Sequence, residues 1–214
     1  MTLPRVKICG IKHPQHARAA WRAGASAIGL NFYPASSRYI GGIENARELM
    51  RACTHPGGLW AGVFVNETLE ALALIQSALK LDIIQLHGSE SPEFVRGVKR
   101  AWPQAEVWKA FRVAAREDLK ALPDFDCDGW LLDAKVPNTH GGRGVAFDWR
   151  ILDALPRTKT LILSGGLNPS NVAEAIRQAR PEWVDVASGV ENSPGEKSVE
   201  LIEDFMRSLT SGEI

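Results

Sequence analysis

The sequence has few cysteines and no excess of charge of either sign. Its 214 residues include 3 cysteines, and 25 basic residues balance 25 acidic ones. Three scattered cysteines without a Cys-x-x-Cys pair exclude a disulfide-based scaffold. The zero net charge disfavours a protein that works on nucleic-acid phosphates or on an anionic membrane, although a local basic pocket stays open. We therefore expect neither nucleic acid nor a membrane as a partner.

Long apolar runs and low-complexity tracts are also missing. No stretch approaches the roughly 18 apolar residues of a membrane-spanning helix. The first five residues lead straight into a strand-like stretch, without the apolar core of a signal peptide. One composition runs through the whole chain, with no sign of a linker. We expect a single domain over 1–214 in a reducing, cytoplasmic compartment.

Short β-rich stretches alternate with longer stretches of helical periodicity. Eight strands are predicted, at Arg5–Ile11, Ala27–Phe32, Leu59–Asn66, Asp82–Gly88, Glu106–Val113, Gly129–Lys135, Thr160–Gly166 and Trp183–Val190. The predicted helices are Pro14–Ala23, Ile43–Ala52, Leu69–Leu79, Pro92–Ala101, Arg116–Leu122, Trp149–Leu155, Pro169–Ala179 and Val199–Leu209. Such alternation indicates parallel strands, and eight units of about 27 residues suit a closed barrel better than an open sheet. The predicted fold class is α/β, a single (β/α)8 TIM barrel.

Three of the predicted helices begin with recognisable signals. Asn168-Pro169 and Ser91-Pro92 each combine a capping residue with a proline at the first helical position. The segment from Asn66 to Thr68 ends a strand and opens the next helix. These signals support the alternation of strands and helices.

Glycine-rich segments follow the last two predicted strands. In a barrel, catalytic and binding groups lie at the C-terminal strand ends, and the loops after strands 7 and 8 commonly bind phosphate. Gly165 and Gly166 after strand 7, and Ser188 and Gly189 after strand 8, can bring backbone N–H groups close to an anion. The segment Glu191–Gly195 could provide the short extra helical turn of such a site. Glycines that merely end strands are the alternative for each segment alone, but the two together predict a phosphate site.

Cys9 is the first candidate catalytic residue. Alternation along strand 1 places Lys7 and Cys9 on one face and Val6 and Ile8 on the other. If the apolar pair packs against helices, Cys9 faces the barrel mouth, and the neighbouring lysine is expected to favour a thiolate. A small buried core cysteine is the alternative.

Asp133 and Arg38 are the next candidates. Asp133 closes an apolar strand, which is unfavourable unless the carboxyl group is paired or used. A general acid or base at this strand end is one interpretation, and a salt bridge with Lys135 or a helix cap is the other. Arg38 follows strand 2, and its planar guanidinium suits a carboxylate. A solvated surface arginine is the alternative there.

Other polar residues at the strand ends leave their roles open. His87 is either an acid or ligand, or a histidine of the core, and Arg112 faces either the pocket or the solvent. Only His87, Asp133 and Asp185 compete as metal ligands, which is few for a metal-dependent barrel. We therefore expect no metal.

A series of motifs runs almost from end to end of the chain. In order they are Val6–Ile11, Gly29–Pro34 with Ser37–Ile40, Gly62–Asn66, Gln85–Gly88, Leu132-Asp133, Gly141–Gly144 with Phe147–Trp149, Leu163–Pro169 with Asn171-Val172, and Val184-Asp185 with Ser188–Glu191. In order and spacing they resemble the phosphoribosylanthranilate isomerase family of tryptophan biosynthesis. Small departures at Ala35-Ser36 and Ala187 remove no proposed catalytic group.

The resemblance implies an Amadori rearrangement of N-(5'-phosphoribosyl)anthranilate to the carboxyphenylamino-deoxyribulose phosphate. It also implies that Asp133 is the general acid and Cys9 the general base. Arg38 would hold the anthranilate carboxylate, and the backbones of Gly165-Gly166 and Ser188-Gly189 would hold the phosphate. The implied partner is a small phosphorylated substrate. The implied reaction needs no redox step and no external cofactor, so we expect none.

Other phosphate-binding barrels are the competing interpretations. An indole-glycerol-phosphate synthase needs an extra N-terminal segment and lysine–glutamate chemistry, and a pentose-phosphate epimerase needs a metal. A dual-specificity isomerase pairs two aspartates at strands 1 and 6, where this chain has Cys9 and Asp133. A barrel that only senses a phosphorylated metabolite is the non-enzymatic alternative. The sequence shows no evident docking patch, so we expect a monomer.

Overall fold

Eight parallel strands close into a barrel in the computed structural model, which describes residues 3–134, 152 and 155–209. The strands are β1 (Arg5–Cys9), β2 (Ala27–Asn31), β3 (Leu59–Phe64), β4 (Ile83–Leu86), β5 (Glu106–Val113), β6 (Gly129–Ala134), β7 (Thr160–Ser164) and β8 (Trp183–Val186). The first strand pairs with β2 on one side and with β8 on the other, which closes the barrel. The predicted α/β barrel is confirmed.

Helices follow most of the strands and cover the outside of the barrel. They are α1 (Pro14–Arg22), α2 (Ile43–Ala52), α3 (Leu69–Leu79), α4 (Pro92–Ala101), α5 (Val172–Ala179) and α6 (Val199–Ser208). Thr68 caps α3 through the amide of Ala71, and Ser91 caps α4 through the amide of Phe94 with Pro92 at its first position. These two predicted helix starts are confirmed. No described helix is long and apolar enough to cross a membrane.

Alternation along the strands separates two apolar layers. Val6 and Ile8 belong to the large core between the barrel and its helices, as the sequence predicts. A second cluster fills the barrel itself, with Ala27, Ala61, Ile83, Trp108, Ala110, Leu131, Ile162 and Trp183. Lys7, Gln85 and Asp185 lie farther towards the C-terminal strand ends and are almost fully buried. The barrel interior therefore changes from apolar to polar just below its C-terminal mouth.

Carboxylates fasten neighbouring strands at the opposite end of the barrel. In three places, a carboxylate just before one strand accepts a hydrogen bond from the second amide of the preceding strand. The pairs are Asp82 with Trp60, Asp128 with Val107 and Glu182 with Leu161, each at 2.8–2.9 Å. The N-terminal face therefore carries structural carboxylates, which leaves the other face for a site.

Several strands end earlier than the alternation of residues predicts. β1 ends at Cys9 because Gly10 has φ +79°, and β7 ends at Ser164 because Gly165 has φ +90°. Both values lie in the left-handed region, which breaks a strand and favours glycine. The strand predicted over Trp183–Val190 ends at Val186, and its last residues form a 3-10 helix, Ser188–Val190.

Two predicted helices differ in the structure. The helix predicted from Pro169 begins at Val172, because Asn168 accepts a hydrogen bond from the Ser170 amide and forms a turn instead of a cap. The segment Arg116–Asp124 is a 3-10 helix, in which Asp118 accepts bonds from two preceding amides. The glycine-rich segment Gly141–Gly144 and Lys135 lie outside the described residues, as does most of the helix predicted at Trp149–Leu155.

The sequence-based prediction for the segment after β8 is wrong. Instead of a helical half-turn, Glu191–Ser193 (β9) and Glu196–Lys197 (β10) form a small antiparallel hairpin. Its tight turn places Gly195 at φ +85°. The extra helical turn exists, but it is the 3-10 helix Ser188–Val190 just before the hairpin.

Candidate active site

A cavity of about 440 Å³ lies at the C-terminal mouth of the barrel. Six of the seven predicted site residues line it: Cys9, Arg38, Asp133, Gly165, Gly166 and Ser188. Their side chains or backbones reach the cavity from five different strand ends, so only closure of the barrel brings them together. Gly189 does not line the cavity.

Cys9 lies beside a buried ion pair. The ammonium of Lys7 donates to Oδ1 of Asp185 at 2.7 Å, and both residues are buried. Lys7 also hydrogen-bonds the Cys9 thiol. Gly29 on β2 leaves room for this arrangement, since a Cβ there would lie 2.9 Å from Sγ of Cys9 and 3.0 Å from Cε of Lys7. The missing side chain of Gly29 therefore lets the thiol and the ammonium share one corner of the cavity.

The expected acidic thiol is not what the structure shows. Burial raises the pKa of Cys9, and the nearby charge of Lys7 lowers it only in part, because the carboxylate of Asp185 opposes that effect. The net pKa lies above the usual range of a cysteine. Sequence reasoning correctly placed Lys7 beside Cys9 but missed Asp185, which takes up much of the positive charge.

Asp133 faces the same cavity beside a histidine. Its carboxyl group is 35% exposed, and its Oδ2 lies 3.6 Å from Nε2 of His87. The side-chain amide of Gln85 lies 2.8 Å from Nδ1 of that ring. This contact orients the His87 ring towards Asp133. The acid candidate is thus open to a bound molecule and has an imidazole next to it.

Arg38 is held by a buried carboxylate. Its Nε and NH2 groups donate to the two oxygens of Glu191, both at 2.7 Å. Lys197 donates to the same Glu191 carboxylate at 2.7 Å and to the carbonyl of Ala187 at 2.8 Å. Burial raises the pKa of Glu191, but the bonds from Arg38 and Lys197 outweigh this and hold it below its usual value. Arg38 is therefore an oriented group and not a solvated surface side chain.

The two glycine-rich ends behave differently. Gly165 and Gly166 both have positive φ, at +90° and +66°, so the backbone after β7 turns in a way that favours glycine. At Gly189, a Cβ would lie 1.8 Å from the carbonyl oxygen of Leu167. Gly189 is thus required by close contact between the loops after β7 and β8. Packing therefore explains why position 189 is a glycine, whereas Gly165, Gly166 and Ser188 line the cavity.

Four functional contacts were missed or left open by the sequence. The pairing of Lys7 with Asp185 joins residues 178 positions apart, and no local pattern indicates it. Gln85 lines the cavity from the middle of the barrel. His87 and Arg112 both face the cavity, which resolves the choice left open for each. An alternation count along β4 and β5 would have placed all three inside the barrel.

A second cavity of about 580 Å³ adjoins the first and shares Val65, His87, Arg112 and Asp133 with it. Buried Lys109 supports its wall, because it contacts Glu90 at 3.0 Å and donates to the Gly88 carbonyl at 2.8 Å. Within the residues described, no group of three or more His, Cys, Asp or Glu side chains could hold a metal ion.

Comparison with known proteins gives one consistent result. A model of the N-(5'-phosphoribosyl)anthranilate (PRA) isomerase family matches residues 6–208. The N-(5'-phosphoribosyl)anthranilate isomerase of Trichlorobacter lovleyi is 42% identical over 205 residues, which cover 95% of this chain and 97% of that protein.

Solved structures agree with the sequence relatives. Phosphoribosyl anthranilate isomerase from Thermotoga maritima superposes with a TM-score of 0.86 at 41% identity, covering 98% of this chain and 100% of that one. A structure of monomers generated from the dimeric Thermotoga maritima isomerase gives 0.81 at 38% identity, with the same coverage. An isomerase in complex with reduced 1-(o-carboxyphenylamino)-1-deoxyribulose 5-phosphate gives 0.83 at 38%, again with 98% and 100% covered. This chain therefore belongs to the N-(5'-phosphoribosyl)anthranilate isomerase family.

Proposed function

We propose that this chain converts N-(5'-phosphoribosyl)anthranilate to 1-(2-carboxyphenylamino)-1-deoxyribulose 5-phosphate in tryptophan biosynthesis, with Asp133 as acid and Cys9 as base. The observation that carries the assignment of roles is the shared cavity. Asp133 and Cys9 line it from β6 and β1, with Arg38 and the glycine-rich end of β7 also on its wall. A substrate that is anionic at both ends fits such an arrangement.

The first chemical step is opening of the sugar ring. Asp133 donates its proton to the furanose ring oxygen, and the bond between that oxygen and C1 breaks with its electron pair leaving on oxygen. The nitrogen lone pair then forms a C1–N double bond, which produces an iminium ion. Partial exposure of the Asp133 carboxyl group supports this role, because the substrate oxygen must reach it.

The second step is removal of the C2 proton. Cys9 as thiolate takes this proton, and the C–H electron pair forms a C1–C2 double bond while the iminium nitrogen regains its lone pair. The resulting enolamine loses its hydroxyl proton and gains one at C1, which yields the ketone. Burial raises the pKa of Cys9 in the free protein. The positive charge of the iminium ion next to the thiol favours the thiolate at the moment when it is needed.

Arg38 binds the anthranilate carboxylate, and the backbone at Gly165-Gly166 and the Ser188-Gly189 turn bind the phosphate. The cavity wall supports these roles, since Arg38, Gly165, Gly166 and Ser188 all line it. Gly189 acts there through its fit against Leu167, which sets the position of Ser188. The partner is thus a small phosphorylated substrate.

The decisive experiment generates the unstable substrate in place from anthranilate and phosphoribosyl pyrophosphate with the preceding transferase. In the presence of EDTA, the protein should accelerate loss of substrate fluorescence and give a product of unchanged mass. Cys9→Ala and Asp133→Ala should each lower kcat by at least about 100-fold, as is typical when a general acid or base is removed.

Matched control variants are available for both residues. Cys53 is also a buried free cysteine, and Asp126 is an exposed aspartate that pairs with Lys99. Cys53→Ala and Asp126→Asn should keep near-normal turnover. Near-normal turnover in Cys9→Ala or Asp133→Ala would instead remove that residue from the mechanism, and strong EDTA inhibition would favour a metal-dependent epimerase.

We further propose that the chain acts in the cytoplasm, as a monomer and as a single domain over 1–214. Among the residues described, the large apolar side chains that are more than a third exposed are Leu3, Tyr33, Leu69 and Leu74. These four side chains come from three separate stretches of the chain and give no evidence for a large exposed apolar surface at which a partner could bind.

A further inference from the structure

The hairpin after β8 connects the two anion-binding ends of the cavity. Glu191 on β9 holds Arg38 through two hydrogen bonds of 2.7 Å. Lys197 on β10 holds Glu191 at 2.7 Å and the carbonyl of Ala187 at 2.8 Å. Ala187 directly precedes Ser188 of the phosphate-binding turn. A continuous chain of charge-assisted bonds therefore runs from Arg38 to the start of that turn.

The buried positions of these charges make the arrangement specific. The side chains of Glu191 and Lys197 are 4% and 1% exposed, whereas that of Arg38 is 26% exposed. Buried charges are costly unless they are paired and hydrogen-bonded. Burial lowers the pKa of Lys197, and the bond to Glu191 opposes this effect only in part. Burial of this charged pair has a large free-energy cost, so stabilisation of the hairpin alone is a weak explanation for its presence.

The geometry of the Arg38 guanidinium shows how a bound carboxylate can orient it. Glu191 uses the edge formed by Nε and NH2, and a guanidinium has five N–H donors in one plane. The end formed by NH1 and the second NH2 proton is left for another carboxylate, and Arg38 lines the cavity. Holding one edge fixes the plane of the group and the direction of its free end.

The charges add up in favour of an anion. Glu191 alone would neutralise Arg38 and weaken its attraction for a substrate carboxylate. Lys197 supplies a second positive charge, so the three groups together carry +1 when all are ionised. The hairpin is also close to the loop that carries Arg38, since a Cβ on Gly195 would lie 2.2 Å from the carbonyl oxygen of Ser37.

We propose that Glu191 is a positioning residue that aims Arg38 at the anthranilate carboxylate, and that Lys197 holds Glu191 and keeps the surroundings of Arg38 cationic. This inference rests on the proposed binding role of Arg38. Glu191 and Lys197 are not among the residues that line the cavity. Loss of Glu191 should therefore raise the KM for the substrate and leave kcat within about threefold, because only an interaction equal in ground and transition states is lost.

The test compares two stable ligands by calorimetric titration. One is reduced 1-(o-carboxyphenylamino)-1-deoxyribulose 5-phosphate, and the other is the same compound without its carboxyl group. Glu191→Gln should weaken binding of the first about tenfold and that of the second less than about twofold, as expected when a charge-assisted bond is misaligned. In an Arg38→Ala background, Glu191→Gln should have no further effect on either ligand.

Controls separate positioning from folding. Glu196 lies on the same hairpin, but its carboxylate is 46% exposed and faces His13 and His16. The Glu196→Gln variant should therefore bind both ligands normally. Because Glu191→Gln leaves Lys197 buried beside a neutral partner, the double variant Glu191→Gln/Lys197→Met provides a second test without buried charge. It also loses the bond from Lys197 to the Ala187 carbonyl, which should weaken both ligands equally, so a further loss confined to the ligand with the carboxyl group is expected.

The outcomes distinguish the two levels of the argument. Equal weakening of both ligands, or a full further loss in the Arg38→Ala background, would mean that Glu191 only supports the hairpin and would overturn the inference. If Arg38→Ala changed the affinity for both ligands equally, the proposed role of Arg38 itself would be wrong.

Discussion

At the scale of single residues, the site depends on a thiol and a carboxylate that share one cation. Lys7 hydrogen-bonds both Cys9 and Asp185, so each group competes for its charge. Burial is the larger influence on Cys9 and raises its pKa. The ion pair with Asp185 also allows Lys7 to stay charged inside the barrel, because it offsets the cost of burial. The base of the proposed reaction is therefore tuned by a residue on the neighbouring strand β8.

Removal of the Asp185 charge should make the Cys9 thiol more acidic. In the native protein, the rate at which iodoacetamide alkylates Cys9 should rise with pH along an alkaline limb, because the reactive thiolate forms only as the raised pKa is approached. Asp185 raises the pKa of Cys9, so Asp185→Asn should move this limb to lower pH. The variant leaves Lys7 buried without its carboxylate, which should cost about 3 kcal/mol of unfolding free energy.

The measurement is the pH profile of Cys9 alkylation, followed by mass spectrometry of the peptide that carries Cys9 and taken well below the unfolding temperature of the variant. Asp126→Asn is the control, because Asp126 is exposed and pairs with Lys99 and Lys159 on another part of the surface. Its profile should match that of the native protein. A limb that stays in place or moves to higher pH in Asp185→Asn would contradict the role given to Asp185.

At the scale of elements, the loops after β7 and β8 behave as one unit. Gly189 lies in the 3-10 helix after β8 and packs directly on the backbone of Leu167 after β7. Asn171 donates to the carbonyl of Gly166 at 2.9 Å, which ties the turn after β7 to the start of α5. The proposed phosphate-binding region therefore depends on close packing of backbones more than on any one side chain.

Gly189→Ala should disturb both loops. Its Cβ would lie 1.8 Å from the Leu167 carbonyl oxygen, so the backbone must move, at a cost of about 1–3 kcal/mol. The same variant should also be inhibited less strongly by inorganic phosphate. Gly97→Ala in α4 is the control, because its Cβ would meet the side chain of Leu69 in α3 at 3.9 Å, and alanine favours a helix by roughly 1 kcal/mol.

The comparison uses thermal unfolding and the inhibition constant of phosphate for both variants. The Gly97 variant should be as stable as the native protein or more so, with unchanged inhibition. Normal stability and normal phosphate inhibition in Gly189→Ala would show that the two loops are not tightly coupled.

At the scale of the whole molecule, the barrel is closed by β1 and β8. Four register positions join these strands, from Arg5 with Trp183 to Ile8 with Val186. Lys7 and Asp185 are opposite each other in that register, so the seam of the barrel also carries the ion pair next to Cys9. Closure of the barrel and formation of the site are therefore a single event.

Heating should unfold the molecule in one cooperative step. A single domain predicts one calorimetric transition with an enthalpy of about 150 kcal/mol near 60 °C, from the usual value per residue. A monomer predicts a Tm that does not change with protein concentration. The measurement is scanning calorimetry at two concentrations a hundredfold apart. Two resolved transitions would contradict the single domain, and a Tm that rises with concentration would contradict the monomer.

The sequence was sufficient where neighbouring residues carry the signal. The alternation of eight strands with helices predicted the barrel. Alternation along β1 placed Val6 and Ile8 outside and Cys9 inside, because side chains of a strand alternate between its two faces. The ends of elements were less predictable. Asn168 forms a turn instead of a cap, and the segment after Val190 is a hairpin instead of a helical turn. Such choices depend on contacts with other loops.

The sequence by itself determined the alternation of strands and helices and the family motifs, since these depend on local periodicity and on residue type. Only the tertiary structure decided that Asp185 takes up the charge of Lys7, that Glu191 and Lys197 hold Arg38, and that Gly189 packs against Leu167. The partners in these contacts are mostly far apart in the chain, and their charges interact only after the barrel closes. Electrostatic balance in a buried site is a property of all the neighbours together, which no local pattern contains.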